Sequence, residues 1–373
     1  MFEPKKIGNL ELKNRLVRSA TAERMVDRDG AVTDDLIKLY ETLSRGGIGT
    51  IITGHCFVRA DGRSGWLMTG IHQDSLISGL QRLTGIVHRY DVKIFAQLNH
   101  TGRYAPGSII GTNPLAPSVS ESDLKGVYPP KEMTGKEIKE LVQAFAQAAV
   151  RARESGFDGV QIHAAHGYLV NQFLSPYFNK RKDEWGGSLE NRARLLYEIL
   201  TAIKKTVGAE WPVWVKLNCE DFVEGGFSLS ESLTVAEKLG TLPASGGTSG
   251  IDAIEISGGV QFQTVIQTGI DCPDKEAYFL PQAREFRKKI TKPLLLVGGI
   301  RSRSVIEMIL GGEGIDLVSL SRPLIKEPDF PHKLNKKTDD RATCVSCNAC
   351  LGKRNDPVQC RLEEKIVVKK SGQ

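Results

Sequence analysis

The segment "HAAHGYLVNQFLSP" brings His163, His166 and Tyr168 into a span of six residues. Two neutral imidazoles three positions apart can donate hydrogen bonds to one oxygen, and a phenol beside them can give up a proton. Gln97, in "AQLNHTGR", and Lys216, in "PVWVKLN", add a second pair of functions. An amide donates and accepts at a heterocycle edge at once, and an ammonium stabilises negative charge developing on that ring. Together these residues suit an electron-poor ring cofactor and a small-molecule carbonyl substrate. Other readings of the same residues exist. The His-x-x-His pair could ligate a metal with Glu255 or Asp221 as third ligand, as in a metal-dependent barrel lyase or epimerase. Gln97 could cap a strand, and Lys216 could pair with Glu220 or Asp221.

Two further clusters carry chemistry. "GGIRS" (298–302) and "LSRPL" (320–324) offer glycine turns, an N-capping serine, a second serine and an arginine. Exposed N–H groups at a helix N-terminus beside a guanidinium form a phosphate site; a surface-paired arginine and a tight-turn glycine are the alternative. Cys344, Cys347, Cys350 and Cys360 follow the spacing C-x2-C-x2-C-x9-C. Without an export signal such a cluster points to metal rather than disulfides: an iron–sulfur cluster, a structural zinc, or a redox-active or vestigial thiol patch.

Regular alternation positions these groups. Eight short β-branched runs, at 15–20, 49–54, 92–98, 159–164, 212–218, 253–259, 293–300 and 316–322, read as strands. Amphipathic stretches near 34–46, 73–90, 134–156, 188–207, 230–240, 281–290 and 302–311 read as helices between them. Eight βα units predict an α/β fold, a (β/α)8 TIM barrel over 1–340 with a short Cys-rich extension, 341–373; chemistry is then confined to the C-terminal strand ends. A doubly wound open sheet is the competing architecture, but no early strand leads into a G-x-G-x-x-G turn. The balance of 40% hydrophobic and 25% charged residues is that of a globular chain. No run of 18 apolar residues suggests a membrane span, and "MFEPKKIGNL" lacks a cleavable leader, so a cytoplasmic protein is expected. A net charge of +6 with interleaved signs does not call for nucleic acid.

The run "HAAHGYLVNQFLSPYFNKRKDEWGGSLENRARLLYEI" resembles the corresponding segment of the old yellow enzyme family, the FMN-dependent NAD(P)H:flavin oxidoreductases, especially the branch with 2,4-dienoyl-CoA reductase. "LKNRLVRSAT", "AQLNHTGR", "GGIRS" and "SRPLI" extend the resemblance over about residues 1–335. It implies an FMN-binding barrel that takes NADH or NADPH as reductant and acts as an ene-reductase on the activated C=C bond of an enone or enoyl compound. Ala20, Thr21 and Gly54 would line the flavin ring, Gln97 and Lys216 would meet its pyrimidine edge, and Gly299, Arg301, Ser321 and Arg322 would hold its phosphate. His163 and His166 would bind the substrate carbonyl and Tyr168 would donate the proton. Many bacterial relatives carry a cysteine and then a tyrosine after the first strand; "TAERM" offers Ala22 and Arg24 instead, so Arg24 could favour an acidic substrate or pair with Glu23 or Asp27. Longer members of that branch place a [4Fe-4S] cluster after the barrel with wider cysteine gaps, and continue into flavin and nicotinamide domains. By that likeness the four tail cysteines would ligate a cluster, and an electron-transfer subunit working with a separate partner is the second function class. A homo-oligomer is also compatible.

Overall fold

Alternating β-branched runs and amphipathic stretches close here into a ring. The computed structural model describes residues 1–120, 125–244, 247–248, 250–261, 266–352 and 355–362. Eight parallel strands follow one another: β1 (Leu16–Arg18), β2 (Thr50–Ile52), β3 (Lys93–Asn99), β4 (Gly159–Ala164), β5 (Val213–Asn218), β6 (Ala253–Ser257), β7 (Leu294–Leu296) and β8 (Leu317–Leu320). Each pairs with its neighbour in chain order, and Leu320 of β8 lies opposite Arg18 of β1, so the sheet has no edge. This is the (β/α)8 barrel expected from the periodicity. The helices α1 (Asp34–Arg45), α2 (Ile77–His88), α3 (Gly135–Glu154), α4 (Leu189–Val207), α5 (Leu229–Thr241), α6 (Leu280–Lys289) and α7 (Arg303–Gly312) follow β1 to β7 in turn.

Local signals explain several boundaries. Thr134 and Glu137 form a reciprocal capping box at the start of α3, and Ser228 with Glu231 does the same for α5. The outward faces of the strands join the inward stripes of the helices in one large core. Inside the ring a second, smaller core holds Val17, Ile52, Phe95, Trp214, Ala253, Leu295 and Leu317. Phe95 stacks on Trp214 at 3.9 Å, with Gly159 leaving the room: a Cβ there would press on the Phe95 ring. The hairpin Lys5–Ile7 and Leu10–Leu12 contributes Ile7 and Leu12 to this inner core. The barrel interior is therefore packed below its midpoint, and open space begins only above it.

After β8 the chain forms α8 (Arg322–Lys326) and α9 (Phe330–Lys336) and then returns to the C-terminal rim. Ser302 bridges Arg341, the Ala342 amide donates to the Arg301 carbonyl, and the Val358 amide donates to the Glu23 carbonyl. The end of the Cys-rich extension, including the basic "KIVVKKSGQ", lies outside the described residues. No helix among the described residues is long and apolar enough to cross a membrane.

Candidate active site

One cavity of about 680 Å³ opens at the C-terminal rim, a size typical of cofactor sites. Its walls include Ala20, Thr21, Gly54, Gln97, His163, His166, Tyr168, Lys216, Gly299, Ser321 and Arg322, so eleven residues singled out from sequence converge, and Arg24 borders it as well. Gly54 is required by close approach, since a Cβ there would meet the Glu23 carboxylate and the Thr21 carbonyl. Its amide donates to Glu23 Oε1 at 3.0 Å, and Tyr40 donates to the same oxygen at 2.7 Å.

The floor of the cavity is a connected polar layer. Gln97 Nε2 donates to Gln161 Oε1 at 2.7 Å, and Gln161 Nε2 donates to Glu255 Oε2 at 2.9 Å. Lys216 Nζ donates to Ser19 Oγ at 2.9 Å and pairs with Glu255 at 3.3 Å, while Ser19 donates to Glu255 Oε1 at 2.7 Å. Burial alone would raise the Glu255 carboxyl, but Lys216 and the hydrogen bonds from Ser19 and Gln161 hold it below the usual carboxylate range. Glu255 is thus the buried counter-charge of Lys216, and Asp221 accepts from Asn171, Asn218 and the Phe227 amide. Neither carboxylate turns to the histidine pair, which removes the third ligand that a His-x-x-His metal site would need. The Lys216 partner is Glu255 rather than Glu220 or Asp221.

The open side carries the imidazoles. The His163 and His166 rings stand 5.1 Å apart, and Tyr168 lies 5.0 Å from His163. His166 adopts a left-handed backbone with φ 63°, an unusual conformation for a residue with a side chain. Its amide donates to Asn218 Oδ1 at 3.1 Å, and its Nε2 meets Ser257 Oγ at 2.7 Å, so the strained residue is pinned at both ends. His55, which the sequence reading did not single out, borders the same space 5.2 Å from Tyr168.

Desolvation pushes all three imidazoles down. His55 falls to about 4; His163 is lowered by desolvation and then by His166, His55 and Lys216; His166 is lowered by desolvation and then by Lys216 and His55. All three are neutral donors at neutral pH. In the unfolded chain a histidine takes up its proton near pH ~6.5, so this stability is complete above that pH and is lost as pH falls towards the folded value. For His55 the loss between about pH 6.5 and 4 reaches on the order of 3 kcal/mol at most. Thermal midpoints measured across this window should fall with acid, and less steeply in His55→Phe. Parallel curves for the two proteins would contradict the assignment.

The residues expected to hold a phosphate are brought to the cavity only in part. Ser302 stands at the N-cap position of α7, but its side chain makes no capping bond; its hydroxyl and amide, with the Arg301 amide, all donate to the Glu276 carboxylate at that helix N-terminus. Arg301 does not border the cavity, and its guanidinium donates to the Cys344 carbonyl. Gly299, Ser321 and Arg322 do border the cavity; Gly299 has φ 71° and a Cβ there would press on Tyr278. Arg322 Nη1 also donates to the Gln267 carbonyl at 2.6 Å and to Asn348 Oδ1 at 2.7 Å. Arg24 Nη2 donates to the Leu351 carbonyl at 2.7 Å.

All four tail cysteines border one small cavity of about 20 Å³, and Cys350, Arg322, Ile325 and Asn348 border both this cavity and the large one. Among the described residues no group of three or more His, Cys, Asp or Glu side chains converges closely enough to hold a metal ion.

The sequence model of the NADH:flavin oxidoreductase / NADH oxidase family matches residues 1–341. The NADH oxidase of Thermoanaerobacter brockii is 34% identical over 95% of this chain and 54% of its own length, so the chain spans about half of that relative. The 4,4'-dithiodibutanoate disulfide reductase of Rhodococcus erythropolis is 32% identical over 100% of this chain and 97% of its own length. A solved 2-naphthoyl-CoA reductase in complex with 2-naphthoyl-CoA superposes with a TM-score of 0.86 at 30% identity, over 97% of this chain and 56% of that one. The chain belongs to the NADH:flavin oxidoreductase / NADH oxidase family and has the barrel of the old yellow enzymes.

Proposed function

We propose that the large cavity holds FMN and that the protein uses NADH or NADPH to reduce the activated C=C bond of an α,β-unsaturated carbonyl compound. One observation carries this reading: two neutral imidazoles and a tyrosine face the cavity 5.0–5.1 Å apart, above a floor of Gln97 and Lys216. The residues fit the cofactor. The Gln97 amide nitrogen is occupied by Gln161, which leaves its carbonyl oxygen to accept from a ring N–H. Lys216 has spent two donors on Ser19 and Glu255 and keeps a third for the pyrimidine edge. Gly299, Ser321 and Arg322 meet the phosphate. FMN, when bound, supplies a hydride acceptor and donor between the nicotinamide and the alkene.

The protein's own residues supply the rest. His163 and His166 donate to the substrate carbonyl and stabilise the negative charge that reaches this oxygen as hydride adds to the β-carbon. Because both imidazoles are neutral, they can share one oxygen without repelling each other. His163 Nδ1 is buried without a hydrogen-bond partner among the described residues, a costly state that an acceptor relieves. Tyr168 delivers the proton to the α-carbon, so the nicotinamide loses two electrons and the alkene gains a hydride and a proton.

The test is anaerobic. NADH or NADPH should bleach the two flavin absorbance bands of the purified protein, and an enone such as 2-cyclohexenone should restore them with formation of the saturated ketone. Restoration by oxygen but by no enone would sink the proposal, and restoration by a dialkyl disulfide instead would move the substrate towards that of the Rhodococcus relative.

A second reading has its own observation. Cys350, Arg322 and Asn348 form a wall common to the flavin cavity and the cysteine cavity, a suitable place for electrons to leave towards a redox group or a partner protein. Iron and acid-labile sulfide in stoichiometric amount, with broad absorbance beyond the flavin bands, would favour it. A flavin-only spectrum removes it.

A further inference from the structure

His55 borders the substrate side of the cavity and has no part in the mechanism above. Its ring centroid lies 5.2 Å from that of Tyr168 and 6.3 Å from that of His163, and Asn99 Nδ2 is 3.0 Å from its Nδ1. An amide nitrogen can only donate, so Nδ1 accepts and the single proton of the neutral ring sits on Nε2. Asn99 is well placed for this: it is two residues beyond Gln97 on β3, on the same inward face one step nearer the rim. The nearest partner on the Nε2 side is Ser64 Oγ at 3.5 Å, the outer limit of a hydrogen bond. The neighbouring donors are committed differently, with His166 braced by Ser257 and Tyr168 assigned to the proton.

We propose that His55 is a third hydrogen-bond donor to the substrate, one that favours alkenes carrying a second acceptor, a carbonyl, carboxylate or nitro group, on the carbon that Tyr168 protonates. This rests on the alkene-reduction reading. With the activating oxygen between His163 and His166 and the α-carbon under Tyr168, a substituent on that carbon points to the other ring packed against Tyr168, His55 at 5.2 Å. A carbonyl-bearing substituent accepts from Nε2–H; an apolar one leaves that donor desolvated and unanswered, which costs affinity. Selection here acts through a neutral donor, so it does not depend on the substrate carrying charge.

Equilibrium binding to the oxidised holoprotein tests this without turnover, because an oxidised flavin cannot reduce an alkene. Benzylideneacetone and 3-benzylidenepentane-2,4-dione form a matched pair that differs by one acetyl group on the α-carbon. Their dissociation constants are read from the shift of the flavin absorbance. In the wild type the diketone should bind the tighter, and in His55→Phe the ratio of the two constants should move by about five- to tenfold against the diketone, the worth of one hydrogen bond. His55→Gln, which keeps a donor, should recover part of the ratio, an effect that loss of ring packing would not produce. A ratio unchanged in His55→Phe, or a wild type that binds neither compound, overturns the proposal. Separately, wild-type protein that binds both compounds but reduces neither defeats the alkene-reduction reading while the binding ratio still reports on His55.

Discussion

Tyr168→Phe should leave bleaching of the flavin by NADH or NADPH within about twofold of wild type and slow its reoxidation by an enone by about 10²–10⁴-fold, the usual contribution of a positioned general acid. The asymmetry is the diagnostic. Hydride arrival from the nicotinamide needs no protein proton, whereas completion of the alkene needs one at the α-carbon. The substitution keeps the ring that packs 5.0 Å from His163 and 5.2 Å from His55, so the pocket retains its shape. Stopped-flow absorbance resolves the two half-reactions. Equal losses in both would mean that Tyr168 supports the site as a whole and that the proton comes from elsewhere.

Lys216→Met has an effect of similar size on a different quantity. Lys216 and Glu255 are both buried, and removing the ammonium leaves a carboxylate at the centre of the barrel with only neutral donors around it. Breaking a buried pair in this way costs about 3–5 kcal/mol. Urea unfolding should show that loss, and the purified protein should retain little flavin. Adding Glu255→Leu removes the stranded charge and should restore much of the stability without restoring flavin retention. A Lys216→Met protein as stable as wild type would refute the buried-pair account, and flavin retained in the double variant would refute the contact between Lys216 and the flavin edge.

The barrel was legible because its code is local. Strand and helix periods repeat eight times, and boundaries such as the Thr134–Glu137 capping box follow from side chains within one turn. The rim residues were legible where a short segment carried several of them, as with His163, His166 and Tyr168. The polar floor follows a rule that spans strands, and there Ser19 was missed and Glu255 was given the wrong role. Ser19, Gln97, Lys216 and Glu255 each stand two positions beyond an inner-core residue, namely Val17, Phe95, Trp214 and Ala253. On a strand that offset keeps the same face, so the polar floor is one layer above the apolar plug. Reading the strands in register would have grouped Ser19 and Glu255 with Lys216 and withdrawn Glu255 from the metal candidates. Ser257 continues the same face of β6 one layer further out, whereas His55 lies beyond the end of β2, where no periodicity remains. That Glu276 takes the amides at the start of α7 has no local signal, because it stands 25 and 26 positions from the amides it holds.

The wall between the two cavities makes the chain a linked system. Arg322 borders the large cavity while donating to Asn348, and Cys350 borders both spaces. Two binding equilibria that share a side chain cannot be independent, and their coupling is reciprocal. With FMN in the large cavity as proposed, whatever reshapes the cysteine-bearing segment, whether a metal, an oxidant or a docking protein, changes flavin affinity by some factor. Loading of the flavin then changes the affinity of that agent for the tail by the same factor, so flavin occupancy becomes a gauge of the state of the tail.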